Sequence, residues 1–400
     1  MSNNQLNVNL EIKTFIDQGI GLINYYYNEK DHLKNKKTEI IGKDCYICKN
    51  KESENIYTKE NLDDYDPKKS YILFRIRKSF VNNDFEIIKP VRINNHQKFL
   101  YHLNYYAWYV IKSEPIIFQN NNEKYILNEN DIIKFGNKVY EIIKKKNKNK
   151  SVLIKNSYNI SGINEKEGSI FDINLKISQY KVHKNQINLE QNENIEKDIK
   201  KFNCEECKND EASINNPLLH LCLCNNYFIH FNCLKKQLRK QIQTKKNQKN
   251  NVITYNCPKF NCNKCYTPYP LQFKIEIDKN DKLYELIDFE KDIPKESDYI
   301  ILESLNFIKD NKNNIKTIFI VKLVDKESIT IGSAEDNDIV DNIGIISRKH
   351  AIIKYDEGIA IIENKSETYG TFALIKGNIK ILKEDINFQV GNSYITAKLK

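Results

Sequence analysis

The stretch Ile345-Ile346-Ser347-Arg348-Lys349-His350-Ala351 lies among short apolar runs that decide the fold of residues 315–400. The runs alternate apolar and polar positions, are rich in β-branched residues and are separated by turn-forming residues. They are Thr317-Ile318-Phe319-Ile320-Val321-Lys322-Leu323, Ser328-Ile329-Thr330-Ile331-Gly332, His350-Ala351-Ile352-Ile353 and Gly358-Ile359-Ala360-Ile361-Ile362. Because alternate residues of a strand face opposite sides of a sheet, this pattern predicts an antiparallel β-sandwich.

Three pieces of this region resemble a forkhead-associated (FHA) domain in their order and spacing. They are Ile331-Gly332, then Ile345 to Ala351, then Asn364 to Thr371 with Thr368-Tyr369-Gly370 inside it. The resemblance implies a β-sandwich whose loops at one end bind phosphothreonine peptides.

The resemblance also implies a role for individual residues. Ser347 would donate its hydroxyl to a phosphate oxygen, and Arg348 would add a cation beside it. Thr368 would shape the recognition loop, and His350 would brace that loop from within. Gly370 would provide a tight turn in which a Cβ is costly.

Two positions depart from the FHA pattern. Ser333 stands where the family has its phosphate-binding arginine, and Tyr369 stands where it has a peptide-gripping asparagine. The sequence therefore leaves two interpretations open: a phosphopeptide-binding domain, and a sandwich kept for other protein–protein contacts.

The earlier part of the chain contains an echo of the closing segment of this sandwich. Residues 127–137 and 382–392 match at six positions that have the same spacing in both segments, at an offset of 255 residues. The matched pairs are Leu127 and Leu382, Glu129 and Glu384, Ile133 and Phe388, Phe135 and Val390, Gly136 and Gly391, and Asn137 and Asn392. Aromatic and β-branched runs from Tyr71 to Lys146 agree with a second sandwich. We interpret it as a degenerate FHA-like copy without a Ser-x-x-His motif, and assign it no ligand.

The residues before this copy give weaker signals. Apolar residues between Leu10 and Ile20, together with Gly19 and Gly21, predict a short helix ending at the glycines. Cys45 and Cys48 have no second pair nearby, and we expect two buried thiols in a strand.

The stretch from Cys204 to Cys265 carries eight metal-ligating residues in four tight pairs. They are Cys204-x2-Cys207, Cys222-x-Cys224, His230-x2-Cys233 and Cys262-x2-Cys265. Two-residue spacing lets both ligands of a pair turn toward one ion. Four pairs can supply two closed tetrahedral zinc sites of the structural kind.

This stretch resembles a RING-CH finger, the type found in membrane-associated RING-CH ubiquitin ligases, and a PHD finger has the same ligand order. The resemblance implies interleaved pairs, with one zinc held by Cys204, Cys207, His230 and Cys233 and the other by Cys222, Cys224, Cys262 and Cys265. Cys257 is left out. Cys233 is predicted to open a helix with Leu234, Leu238 and Ile242 on one face, and the run 244–251 is predicted to be a loop.

A RING-CH finger implies docking of a ubiquitin-conjugating enzyme. In the family the docking groove uses an apolar residue before the second ligand and a tryptophan on the helix after the sixth. Glu206 and Gln237 stand at those two places. Losing such an anchor typically costs about 2 kcal/mol of binding, so the zinc prediction is stronger than the prediction of ligase activity.

Composition limits the other possibilities. The formal net charge of +10 is spread over Lys-Asn-rich runs, which favours a solvated surface over a nucleic-acid interface. No apolar run reaches 18 residues and the N-terminus lacks the form of a signal peptide, so we expect no membrane span. Zinc thiolates agree with an intracellular reducing compartment, such as the cytoplasm.

Together these observations predict a multidomain, mainly β protein with FHA-like sandwiches flanking a small zinc finger. The expected limits are an extension (1–70), a degenerate sandwich (71–200), the finger (201–273), a connecting segment (274–314) and an FHA domain (315–400). Three functions follow: a protein-interaction adaptor or scaffold, with or without selection for phosphothreonine in its partners; a ubiquitin ligase; and a PHD-like chromatin reader.

Overall fold

The computed structural model describes twenty-two segments of the chain, and the account of the structure below concerns these segments. They are residues 7–15, 33–53, 55–63, 65–66, 68–78, 85–88, 108–111, 125–146, 203–222, 224, 227–267, 269–277, 280–289, 292, 297–305, 315–324, 327–342, 345–374, 379–381, 383, 385–390 and 393–400.

These segments form 26 strands and one helix, which confirms that the chain is mainly β. The strands of the first part are β1 (Val8–Phe15), β2 (Leu33–Ile41), β3 (Cys45–Asn50), β4 (Ile56–Lys59), β5 (Ser70–Lys78), β6 (Phe85–Ile88), β7 (Trp108–Ile111), β8 (Tyr125–Ile126), β9 (Ile132–Phe135) and β10 (Lys138–Lys146). The central elements are β11 (Leu218–Leu219), β12 (Ile229–His230), α1 (Phe231–Arg239), β13 (Gln243–Lys246), β14 (Val252–Pro258), β15 (Gln272–Ile277) and β16 (Asn280–Glu285).

The last part contributes ten strands. They are β17 (Asp298–Ser304), β18 (Ile315–Leu323), β19 (Ser328–Gly332), β20 (Ile339–Val340), β21 (Ala351–Asp356), β22 (Ile359–Asn364), β23 (Thr371–Leu374), β24 (Ile379–Lys380), β25 (Ile386–Val390) and β26 (Ser393–Leu399).

Two five-stranded sheets have the same strand order. One reads β4-β3-β5-β6-β24, and the other reads β20-β19-β21-β22-β8. A 12-stranded sheet reads β13-β14-β18-β17-β10-β9-β23-β7-β25-β26-β1-β2. The large sheet repeats one order on both sides of the β23–β7 pair. From β23 it runs outward through β9, β10, β17 and β18, and from β7 it runs outward through β25, β26, β1 and β2. The first sandwich therefore comprises β1–β7 with β24–β26, and the second comprises β17–β23 with β8–β10.

The two sandwiches exchange their closing strands. The hairpin β25–β26 lies between β7 and β1 of the first sandwich, with Leu399 opposite Val8. The hairpin β9–β10 lies between β23 and β17 of the second, with Tyr140 opposite Ser304. The repeat at an offset of 255 residues falls in these exchanged segments, because both must fit the same place in equivalent sandwiches.

The cores explain why each exchanged hairpin is held. Phe388 of β25 is fully buried, and its ring lies 5.9 Å from that of Phe74 in β5. In the second sandwich Phe135 of β9 is 2% exposed, and its ring packs edge-on against His350 at 5.7 Å. Each foreign hairpin therefore supplies aromatic core, and burying such a side chain stabilises the fold by roughly 1.5–3 kcal/mol.

The expected helix before Gly19 was wrong for the residues that the structure describes. Val8–Phe15 is a strand whose alternate residues are buried, and it pairs with β2 on one side and β26 on the other. The spacing of Val8, Leu10 and Ile12 is the period of a strand. Gly19 and Gly21 lie outside the described residues.

The sheets cross the limits expected at residues 70, 200 and 314. Strands β3 and β4 share a sheet with β5 and β6, and β10 pairs with β17. Hydrogen bonds therefore join residues on opposite sides of the expected limits. Which segments fold as units stays a prediction.

The central module, residues 203–277, joins the large sheet at one edge. Strand β14 pairs with β18 of the second sandwich, and β13 pairs with β14 as the edge strand. The run 244–251, expected to be a loop, is therefore part of a hairpin. Its turn is closed by the Asn247 side-chain oxygen, which accepts from the Asn251 and Val252 amides at 3.1 Å. Exposed polar and lysine side chains on β13 suit an edge strand, because charge there discourages pairing with other chains.

The helix α1 begins at Phe231, two residues before the predicted start. Leu234 and Leu238 are buried as expected, whereas Ile242 lies beyond the helix and is half-buried. Within the described segments, no helix has the length and apolar character needed to cross a membrane.

Candidate metal centre and phosphopeptide site

The first group of ligands brings together Cys204, Cys207, His230 and Cys233. Their ligand atoms all lie within 4.8 Å of one another. The His230 Nδ1 atom is 3.2 Å from the Cys207 sulfur, and the His230 amide donates to the Cys204 sulfur at 3.4 Å. His230 ends β12 and Cys233 lies in the first turn of α1, so the strand-to-helix junction aims both ligands at the Cys204–Cys207 turn.

The second group brings together Cys222, Cys224, Cys262 and Cys265, again within 4.8 Å. The sulfurs of Cys224 and Cys262 are 3.8 Å apart. Bonds of about 2.3 Å from zinc to thiolate place two sulfurs of a tetrahedron about 3.8 Å apart. This spacing fits a tetrahedral thiolate site.

The two Cys-x2-Cys turns have the same backbone geometry. The amide of Lys208 donates to the Cys204 carbonyl at 2.8 Å, and that of Tyr266 donates to the Cys262 carbonyl at 2.9 Å. Lys208 and Tyr266 both have positive φ, at 60° and 58°. A left-handed residue after the second cysteine is costly for a side chain with a Cβ. Repeating it at both turns points to a shared requirement, the convergence of two sulfurs.

The electrostatics of the first group favour one thiolate. Burial opposes ionisation of Cys204, but backbone amides of Cys207, His230 and Glu206 outweigh it and lower the pKa of Cys204 to about 7. Burial and the neighbouring thiols raise the pKa of Cys233 to about 12. A divalent cation compensates such repulsion, because it stabilises every coordinating thiolate. The donor set therefore suits a divalent ion.

The structure groups the eight ligands in the interleaved fours that the RING-CH resemblance implied. Cys45, Cys48 and Cys257 belong to neither group. Cys45 and Cys48 are buried in β3, and Cys257 is buried in β14. Burial raises the pKa of both Cys45 and Cys257 to about 12, which keeps these thiols protonated. None of the ten cysteines, all within the described segments, forms a disulfide.

A second candidate site lies at the loops that follow β19 and β20. An open cleft of about 520 Å³ is lined by Ser333, Ala334, Glu335, Asp336 and Arg348. The backbones of its two walls touch at Gly332, where an added Cβ would lie 2.1 Å from the Arg348 carbonyl oxygen. Only glycine allows this approach, which fixes Arg348 beside the loop 333–336.

Hydrogen bonds fix the conformation of the loops around Ser347. Its hydroxyl lies 2.6 Å from that of Ser366, and the Ser366 hydroxyl also accepts from the Tyr369 amide at 3.1 Å. Of the predicted phosphopeptide residues, Arg348 lines the cleft, whereas Ser347 and Thr368 do not. Thr368 is half-buried in the loop that leads to Gly370.

His350 is completely buried between the two recognition loops. Its Nδ1 atom accepts from the Ser347 amide at 3.0 Å, so Nε2 carries the proton and donates to the Gly370 carbonyl at 2.8 Å. Burial lowers the pKa of His350 to about 4, and the bond to Gly370 opposes this only in part. The bracing role implied by the resemblance matches these contacts.

We expect the His350 imidazole to titrate near pH 4 in the folded chain, compared with an ordinary value of 6.5. The unfolded chain binds this proton near pH 6.5 and the folded chain does not. The lowered pKa of His350 therefore leaves the free energy of unfolding unchanged above pH 6.5 and reduces it as the pH falls toward 4. NMR of the ring proton on Cε1 measures the midpoint. A midpoint above pH 6, or an Nδ1-protonated tautomer, would contradict this prediction.

Two residues that shape the site were missed in the sequence. The Asn337 side chain donates to the Arg348 carbonyl at 2.7 Å and to the Ala334 carbonyl at 2.8 Å, and Ser366 connects Ser347 to Tyr369. Both are buried polar residues in loops. Hydroxyl and amide side chains can fix a loop by hydrogen bonds, as these two do. The sequence has no spacing pattern that distinguishes them from polar residues exposed to solvent.

Comparison with known families decides the identity of this part of the chain. Residues 329–391 match the family model of the FHA domain. The chain contains an FHA domain. The match covers β19 to β25, including Gly332, the Ser347–His350 loop and Gly370. The RING-CH finger was not detected in this comparison, so that resemblance remains a prediction. No curated protein and no solved structure matches the chain.

Proposed function

We propose that this protein is an adaptor whose FHA domain binds a phosphothreonine-containing protein partner, with a zinc-stabilised module beside it. The observation that carries the proposal is the cleft lined by Arg348 and Ser333 at the recognition loops of an FHA domain. A guanidinium offers a planar fork of donors that fits phosphate oxygens.

The same cleft contains groups that weaken attraction for phosphate. Glu335 and Asp336 line it and are exposed. The Lys349 Nζ atom lies 3.7 Å from the Asp336 Oδ2 atom and offsets part of this negative charge. An exposed ion pair of this kind has only a small interaction energy. We therefore infer weak phosphopeptide binding in the unmodified chain.

Ser333→Arg is expected to raise the affinity for phosphothreonine peptides by roughly tenfold to a hundredfold, because a hydrogen bond to a charged group contributes about 1.5–3 kcal/mol. Arg348→Gln should lower it, since the remaining guanidinium beside the cleft is lost. Titration of the full chain against matched phosphorylated and unphosphorylated peptide libraries measures both changes.

Lys354→Gln serves as a control, because Lys354 lies in β21 and its partner is Glu363, away from the lining of the cleft. Equal binding of phosphorylated and unphosphorylated libraries by every variant would mean that the sandwich serves other protein contacts. Tight binding by the unmodified chain would mean that Arg348 alone suffices, and the inference of weak affinity would fail.

The metal of the central module is proposed to be zinc, two ions per chain. The support is the donor set of seven thiols and one imidazole in two closed groups, because four soft ligands without an open position are typical of structural zinc. Such ions would tie α1, β12 and the turn after β14 together. Reduced thiols suit an intracellular reducing compartment, which stays a prediction.

A ubiquitin ligase and a PHD-like chromatin reader remain alternatives from the resemblance alone. Glu206 is exposed, and Gln237 lies on α1 between Lys236 and Arg239. These polar residues offer no apolar anchor for a conjugating enzyme. No observation in the described segments favours either alternative over the adaptor.

A further inference from the structure

The loop that carries Ser347 and Arg348 is supported by a turn from the other end of the sequence. Asn137 follows β9, and its side-chain oxygen accepts from the Ile345 amide at 2.7 Å. The Asn137 amide also donates to the Ile345 carbonyl at 3.3 Å. The two residues are 208 positions apart, so the contact exists because the hairpin β9–β10 is exchanged into the second sandwich.

Gly136 makes this contact possible. Its φ is +55°, and an added Cβ would lie 1.9 Å from the Ile345 carbonyl oxygen. Gly332 makes the equivalent approach at Arg348, on the C-terminal side of the same loop. The loop 345–348 is therefore held at both ends by a backbone-to-glycine contact, one from each half of the chain.

The same hairpin makes two further contacts near the site. The Tyr140 hydroxyl donates to the Asp341 carboxylate, just after β20, and the Phe135 ring packs on His350. The His350 Nδ1 atom in turn accepts a hydrogen bond from the Ser347 amide. The exchanged hairpin thus reaches the loop directly through Asn137 and indirectly through the His350 brace.

We propose that Asn137 is a positioning residue of the phosphopeptide site, and that this site belongs jointly to the FHA domain and to residues 132–146. The inference rests on the proposed function of the cleft. Asn137 does not line the cleft. It fixes the start of the loop that presents Ser347 and Arg348, and a fixed loop loses less conformational entropy on binding.

The first experiment uses the full chain with Asn137→Ala, followed by hydrogen exchange of the Ile345 amide and by phosphopeptide titration. Loss of the acceptor is expected to speed exchange at Ile345 by about fivefold to tenfold and to weaken phosphopeptide affinity by a similar factor. Asn137→Asp keeps an acceptor oxygen and should restore the slow exchange.

Asn130→Ala is the matched control. Asn130 has φ 68° and lies in the turn that precedes β9, at the opposite end of the same hairpin. It should cost stability, because alanine tolerates a left-handed backbone poorly, while leaving exchange at Ile345 unchanged. Equal effects of the two alanine variants at Ile345, or no effect of Asn137→Ala, would overturn the proposal. If no variant binds phosphopeptide, the proposed function fails, and exchange at Ile345 still decides whether Asn137 holds the loop.

The second experiment tests which sandwich receives each hairpin. Ser393 and Lys138 are equivalent positions, 255 residues apart, and the Ser393 hydroxyl lies 3.2 Å from that of Thr14. A Thr14→Cys, Ser393→Cys pair in the metal-loaded full chain should form a disulfide under mild oxidation, identified by peptide mapping. A Thr14→Cys, Lys138→Cys pair should not. The reverse result would place β9–β10 in the first sandwich and overturn the inference.

Discussion

Chelation of the metal is expected to unfold α1 and the ligand-bearing turns of the segment 203–277 in the full chain, while β14 stays paired with β18. Two groups of four ligands hold this segment, and its secondary structure consists of one nine-residue helix and short strands. A structural zinc site in a small finger supplies about 10–16 kcal/mol of apparent binding free energy near neutral pH. Without it, the buried thiols and aromatic residues of so small a module cannot balance the conformational entropy of folding.

Metal analysis should give two ions per chain, and hydrogen exchange of the α1 amides should report the unfolding. Cys262→Ser should lose one ion. Cys257→Ser is the matched control, because Cys257 is equally buried in the same module but lies outside both ligand groups. Fewer than two ions, a lost ion in Cys257→Ser, or unchanged protection of α1 with chelator would each refute this prediction.

The second large effect is expected at Gly332. In Gly332→Ala the new methyl group would lie 2.1 Å from the Arg348 carbonyl oxygen and 2.9 Å from the Asn337 side-chain nitrogen. Both neighbours are held by the hydrogen bond that joins them, so the clash must separate the two walls of the cleft. We expect a loss of about 3 kcal/mol or more in the free energy of unfolding of the second sandwich, together with loss of any phosphopeptide binding.

Hydrogen exchange of the β19 and β21 amides measures this loss locally, which avoids treating a multidomain chain as a two-state system. Ser333→Ala, one position further along, is the control for stability, because it keeps the Cβ and only removes the hydroxyl of a half-buried serine. A Gly332→Ala chain as stable as Ser333→Ala would show that the two loops can separate at little cost.

The parts of the fold that could be predicted are those encoded locally. The alternating runs around Ser347 predicted the sandwich that the family comparison identifies as an FHA domain, because each run carries its own period. Ligand spacing, together with the RING-CH resemblance, predicted the two groups of four that converge in space. Gly332 belongs to the sequence pattern that resembles an FHA domain. The structure gives the reason for a glycine there, because the close approach of the Arg348 backbone leaves no room for a Cβ.

The exchange of closing strands could not be predicted, because either hairpin fits either sandwich by its local pattern. The repeat between residues 127–137 and 382–392 identified the right segments but not their partners. The strand at 243–246 was missed for a different reason. Every side chain of this edge strand is exposed, so its sequence lacks the apolar alternation that predicts a strand. Asn137 belongs to this repeat, but its contact with Ile345 depends on the exchange.

The pairing of Val8 with Leu399 has a consequence for the order in which the chain can fold. Strand β7 waits for β25, which is made about 280 residues later, and β1 waits for β26, which is made about 390 residues later. At synthesis rates of about 5–20 residues per second, these delays are on the order of fifteen to eighty seconds. Through that interval the first sandwich has unpaired strand edges and an incomplete core. The contact order is correspondingly high, which slows folding. Nascent chains of intermediate length should therefore need chaperones, and truncated chains that lack β25 and β26 should aggregate.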